Sequence, residues 1–185
     1  MLRPSTTRLL LRAFAPADFE AVHRYPCDPE ATRYVGWGPN DEAATRACLA
    51  TAAERAQAAP RTVYECGIVE RASDALIGGC GTSERRAEHR DWEIGYILSR
   101  SHWRRGFGSE VVAALVDFTF RELGAHRVFA TVDPANTASA GLLRKLGFRL
   151  EGHQRADRWI RGEWCDSLIF ARLASESESE GHGTP

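Results

Sequence analysis

The densest group of residues able to hold an anion is Trp103-Arg104-Arg105-Gly106-Phe107-Gly108-Ser109-Glu110. The run before it, residues 92–98, reads as a strand, and residues 109–122 read as a helix. A strand, a basic glycine turn and a helix N-terminus form a phosphate cradle, because the first helical N–H groups lack partners inside the helix and carry the positive end of its dipole. Gly106 and Gly108 permit unusual dihedrals and close backbone approach. Arg104 and Arg105 add charge-assisted donors. A dinucleotide fingerprint fails because Val111 stands where the third glycine belongs, and a P-loop fails because no Lys follows. A glycine turn that joins strand to helix and binds nothing stays open at this point.

Two further positions carry chemistry. Glu93 is a carboxylate within the strand Trp92-Glu93-Ile94-Gly95-Tyr96, where it either faces solvent or acts as a base. Asn136 and Ser139 open a helix over residues 138–146, where each is either a cap or a ligand contact. That helix follows a strand at 127–132 and closes on Gly147-Phe148.

The elements around these residues fall in a regular order. Residues 8–14 read as a first strand, and a helix starts at Pro16-Ala17-Asp18. Residues 25–40 form a proline- and glycine-rich loop that carries Tyr34 and Trp37, either as pocket walls or as a lid on the core. A capped, alanine-rich helix spans 41–59. Strands follow at 62–70 and 76–82, then a charged loop at 83–90. Beyond the second glycine site come a strand at 148–154, a loop at 155–163 turning at Arg161-Gly162, and a last strand at 164–173. Residues 174–185 are Ser-, Glu- and Gly-rich and are expected to be a disordered acidic tail.

At 185 residues the chain suits one domain, here 7–173, plus the tail. With 43% hydrophobic and 26% charged residues and a formal net charge of −1, it lacks the basic excess of a nucleic-acid binder. Lys145 is the sole lysine, which with the many alanines fits a GC-rich bacterial genome. No run approaches the ~18 apolar residues of a membrane helix, and the N-terminus does not read as a signal peptide. Cys27, Cys48, Cys66, Cys80 and Cys165 are scattered and odd in number. That spacing argues against zinc or a disulfide framework and for reduced thiols in the cytoplasm. Cys80 and Cys165, both in strand patterns, are expected to be buried.

The paired glycines at 106 and 108, Asn136 with Ser139, and Gly147-Phe148 at this spacing resemble the GNAT N-acetyltransferase superfamily. Trp103, at the position where that pattern has Gln or Arg, and Glu93-Ile94-Gly95-Tyr96 are similar to the RimJ/RimL-like branch, which acetylates ribosomal-protein N-termini. The resemblance covers roughly residues 7–173. It implies a mixed α/β fold: a twisted sheet of six to seven strands, about four helices, and a splayed central pair of parallel strands.

What the resemblance implies for function is transfer of an acetyl group from acetyl-coenzyme A to a primary amine. The acceptor is a protein N-terminal α-amine, or a small amine such as an amino acid or antibiotic. A non-catalytic acyl-coenzyme A sensor is the alternative of another class. Arg104, Arg105, Gly106, Phe107, Gly108 and Ser109 are then expected at the pyrophosphate, and Ile97, Leu98, Asn136 and Ser139 at the pantetheine arm. Glu93 is the expected base, and Ser139 a relay to the leaving thiolate. Tyr34 and Trp37 are expected on the acceptor. Leu142, Leu143 and Leu146 occupy the helix where many relatives carry an acidic tyrosine. No metal is implied, and a homodimer is. A weaker idea gives exposed Trp37 and Trp159 a partner.

Overall fold

The computed structural model describes residues 6–179. Seven strands form one sheet in the order β1-β2-β3-β4-β5-β7-β6. They are β1 (Leu9–Arg12), β2 (Val63–Glu70), β3 (Ala75–Arg86), β4 (Asp91–Leu98), β5 (Arg127–Val132), β6 (Arg149–Ile160) and β7 (Glu163–Leu173). The α-helices are α1 (Phe19–His23), α2 (Glu42–Gln57), α3 (Phe107–Arg121), α4 (Thr137–Lys145) and α5 (Ala174–Ser179). All neighbouring strands run antiparallel except β4 and β5.

That parallel pair is short. It joins only Asp91, Trp92 and Glu93 to Arg127, Val128 and Phe129. Beyond Glu93, β4 stays paired to β3 as far as Leu98, and β5 stays paired to β7 as far as Val132. The two strands therefore splay apart, as expected, with the backbone of 94–98 bordering the gap.

Strand alternation sorts the β4 side chains onto two faces. Trp92, Ile94 and Leu98 are buried in the main core with Val111, Val112, Leu115, Leu143 and Phe170, and Tyr96 packs against it. Ile97 packs into a second core with Val22, Tyr25, Val69 and Leu76. Helices α3 and α4 thus cover one face of the sheet, while α1 contributes to the other.

Several boundaries differ from expectation. Helix α3 begins at Phe107, two residues early, because Phe107 is buried in the core and anchors the first turn. Strand β3 runs through part of the expected charged loop, to Arg86. Its charges meet partners across the strand pair, Arg85 with Glu93 and Arg86 with Asp91. Opposite charges across a strand pair stabilise it modestly, by about 0.2–1 kcal/mol each. Most of the expected loop at 155–163 is strand, leaving Arg161-Gly162 as the turn. Edge strand β6 is exposed on nearly every residue, so it carries no apolar alternation to be read. The expected disorder from residue 174 is corrected in part: Ala174–Ser179 are helical, with Glu176 accepting from the Leu173 amide and pairing with Arg149. The rest of the expected tail, 180–185, lies outside the described residues.

Candidate active site

Gly106 has φ +81, a left-handed conformation natural to glycine, and turns the chain directly into α3. No side chain caps this helix, so its first N–H groups are left for a ligand. A Cβ on Gly108 would stand 2.9 Å from Leu142 Cδ1. A side chain at 108 would thus push on Leu142 where α3 packs on α4, a reason for glycine apart from phosphate approach. Ser109 lies half-buried in the first turn.

The two arginines of the turn differ. Arg105 pairs with Glu70 at 2.9 Å and lies over the Phe107 ring. Hydrogen bonds from Ser73, and the charge and donors of Arg105, hold Glu70 below the usual carboxylate range. Arg104 is exposed, with φ +58 and no ion pair among the described residues. Trp103 donates its indole N–H to Leu98 O at 2.8 Å, which locks the end of β4 to the turn. Arg8 supplies a contact the sequence did not reveal: its guanidinium donates to Arg105 O at 2.9 Å and pairs with Glu110 at 2.7 Å. Burial works to raise the Glu110 carboxyl, but donors from Thr6 and Arg8 outweigh it and hold the group below its ordinary value.

At the mouth of the splay, both oxygens of Glu93 are held. Thr131 Oγ1 donates to Oε1 at 2.8 Å from β5, and the Arg85 guanidinium meets Oε2 at 2.5 Å from β3. On the other face, Tyr96 Oη lies 3.0 Å from Ser139 Oγ, so this pair bridges β4 to the first turn of α4. Burial pushes the Tyr96 phenol up, so it stays protonated, against the opposing effect of the Ser139 bond. Asn136 is the N-cap of α4: its Oδ1 accepts from the Ser139 amide at 3.1 Å. Its side-chain nitrogen has no hydrogen bond among the described residues.

Leu98 borders the unpaired edge of β4, although its carbonyl is taken by Trp103, whereas the Ile97 carbonyl faces Gly78 of β3 rather than the gap. Tyr34 lines a cavity of about 330 Å3 between the 25–40 loop, the end of β5 and the β6–β7 turn, together with Asp133, Ile160, Glu163 and Cys165. Trp37, expected beside it, is 44% exposed and does not line that cavity. Its carbonyl accepts from Arg161. Cys80 is buried as expected, but Cys165 is only half-buried, because its strand borders the cavity. Tyr96, Thr131, Arg85 and Arg8 escaped sequence reading. For Tyr96 a signal existed: three residues from Glu93 on a strand means the opposite face.

The arrangement offers a basic, uncapped helix start, a split sheet, a carboxylate on one face of the split and a paired hydroxyl couple on the other. No helix among the described residues is long and apolar enough to cross a membrane, and no cluster of metal-binding side chains occurs among them.

Residues 8–149 match the family model described as an acetyltransferase (GNAT) domain. The chain is 34% identical over 172 residues to "Uncharacterized N-acetyltransferase p20" of Bacillus licheniformis, covering 92% of this chain and 96% of that one. Among solved structures, RimL, a ribosomal L7/L12 α-N-protein acetyltransferase in complex with coenzyme A, aligns with TM-score 0.82 at 21% identity. That alignment covers 93% of this chain and 98% of the other. Spermidine N-acetyltransferase from Vibrio cholerae, in complex with coenzyme A and spermine, aligns with TM-score 0.80 at 21% identity, covering 92% and 98%.

Proposed function

This chain belongs to the GNAT acetyltransferase family, and from that premise we propose that it carries an acetyl group from acetyl-coenzyme A to a protein N-terminal α-amine, with Glu93 as the base. The observation that carries the reading is the division of labour across the split between β4 and β5. Glu93 and Thr131 lie on one face, and Tyr96 with Ser139 on the other.

The residues present fit the donor. The N–H groups at 107–109 and the unpaired Arg104 suit its phosphates. The free side-chain amide of Asn136 and the unpaired edge of β4 suit its amide-bearing arm. The amine nitrogen attacks the thioester carbonyl carbon from the Glu93 face. The C–N bond forms, the amine proton passes to Glu93, and the C–S bond breaks toward the other face. There the Ser139 hydroxyl hands a proton to the sulfur as it takes the phenol proton of Tyr96, which solvent then restores. Preorganised donors of this kind stabilise charge as it develops.

The α-amine is favoured because its pKa, near 8, asks little of a carboxylate already engaged by Arg85, whereas a lysine-like amine near 10 asks more. The second reading is a small amine, supported by two carboxylates, Asp133 and Glu163, on the cavity wall. The cavity would take the acceptor in either case. The free cysteines fit a reducing cytoplasm, and a homodimer, checked by light scattering, completes the proposal.

The test is thiol release from acetyl-coenzyme A with a panel of α-amine peptides, amino acids, polyamines and aminoglycosides. Turnover on the peptides alone supports the reading, and turnover on a small amine alone moves the acceptor to the second. Donor binding with no turnover on any amine would favour the non-catalytic sensor.

A further inference from the structure

The turn between β6 and β7 carries an unusual residue. Arg161 and Gly162 both have positive φ, +50 and +86. Two positive dihedrals make a hairpin turn that ordinarily takes Asn-Gly, Asp-Gly or Gly-Gly, so local preference does not explain an arginine there.

The tertiary contacts do. Arg161 Nη2 donates to the carbonyls of Thr32 (2.9 Å), Gly38 (3.0 Å), Trp37 (3.1 Å) and Val35 (3.4 Å). Its Nη1 donates to Arg33 O and its Nε to Gly38 O, each at 3.3 Å. Five carbonyls of the stretch 32–38 therefore converge on one guanidinium. No carboxylate pairs with it among the described residues, so its donors are committed to this loop.

The loop it holds carries Tyr34, and the cavity lies between that loop and the turn. Asp133, at the cavity wall, sits two residues past Thr131, the partner of Glu93. Among the described residues the Tyr34 hydroxyl and the Glu163 carboxylate make no hydrogen bond. Asp133 uses one oxygen, on the Ala135 amide. Arg33 and Arg161 also line the cavity, the first paired with Glu30 and the second committed to the loop, so the unengaged polar groups are mostly acceptors, suited to an ammonium.

We infer that Arg161 is the positioning residue of the acceptor site: it ties the 32–38 loop to the β6–β7 turn and so builds the wall against which the amine docks. This rests on the acetyl-transfer reading above. Arg161 touches no reacting atom, so its loss should weaken acceptor binding and leave the chemical step and the donor site intact. A lysine offers one ammonium, able to meet only part of the carbonyl ring.

The experiment compares wild type, Arg161→Ala and Arg161→Lys in three measurements. They are acetyl-coenzyme A binding by calorimetry, steady-state acetylation of an alanine-initiated tripeptide and of spermidine, and hydrogen exchange of the 32–38 amides. The expected result for Arg161→Ala is unchanged donor affinity, a KM for the amine at least tenfold higher with kcat within threefold, and faster exchange at 32–38. Arg161→Lys should fall between. Unchanged KM with unchanged exchange, or a loss confined to kcat, would overturn the inference. Donor binding by the variants shows that they fold. Should wild type bind donor and acetylate neither amine, the acceptor assignment fails, and exchange at 32–38 alone decides whether Arg161 holds the loop.

Discussion

Glu93 and Tyr96 leave the same strand three residues apart and face opposite sides of the sheet, one bonded to Thr131 on β5 and the other to Ser139 on α4. Because β4 and β5 part immediately after Glu93, both side chains border the same gap. In the proposed reaction the proton of the incoming amine leaves on one side and the departing thiolate is protonated on the other. The two groups need not share a pocket, where the carboxylate and the hydroxyl couple would instead bond to each other.

The hydroxyl couple should behave as a unit. Tyr96→Phe and Ser139→Ala are each expected to lower kcat with little change in donor affinity. The double variant should lose no more than about twofold beyond the worse single one, since residues acting together are non-additive. Stopped-flow thiol release on the four proteins checks this. Additive losses would mean two separate roles.

Arg104 and Arg105 should separate cleanly. Arg104→Ala is expected to weaken acetyl-coenzyme A binding about tenfold, or ~1.4 kcal/mol, because this exposed arginine has no ion pair among the described residues. Arg105→Ala removes a surface pair with Glu70 and should change stability little. Calorimetry and thermal unfolding distinguish the two.

The five thiols should fall into two groups. Burial pushes the Cys66 thiol up to about 12 and holds the Cys80 thiol well above its ordinary value, so neither forms the reactive thiolate at pH 8. Cys27 and Cys48 are exposed and Cys165 borders the cavity. Mass spectrometry after brief iodoacetamide treatment should find Cys27, Cys48 and Cys165 modified and Cys66 and Cys80 intact.

Asp18 ties stability to pH. Its carboxylate accepts from Arg12 at 2.6 and 2.8 Å and from the Ala15 amide at 2.7 Å. The Arg12 hydrogen bonds hold it below the usual carboxylate value, against burial. A depressed carboxylate contributes stability above its unfolded value, near 3.9, and loses it as pH falls through the lower folded value. Asp18→Asn should therefore cost about 1–3 kcal/mol at pH 7. The gap should shrink below about pH 4, as denaturation curves at the two pH values would show.

The glycine turn and the cap at Asn136 were legible because each rests on a local residue type, glycine for a positive φ and asparagine for a cap, whereas the splay of the two strands was implied only by the family resemblance. The membership of the family, carried by Gly106, Gly108, Ser139 and Phe148 at their spacing, was legible for the same reason. The partners of those residues were not. Arg85 reaches Glu93 only because β3 extends through a stretch whose charges look like a solvated loop, and Arg8 reaches the turn from nearly a hundred residues away. An aromatic on a loop gives no sign of its partners, so the bond from Arg161 to the Trp37 carbonyl was not legible, nor was the exposure of its ring.

The most direct test is thiol release from acetyl-coenzyme A by wild type and Glu93→Gln on the best amine of the panel, with donor affinity measured alongside. The account predicts steady turnover by wild type and a kcat lower by about 10²–10⁴-fold in the variant, at unchanged donor affinity. Wild-type turnover with Glu93→Gln equally active would remove Glu93 as the base, and a wild type that fails to bind acetyl-coenzyme A would contradict the account at its root.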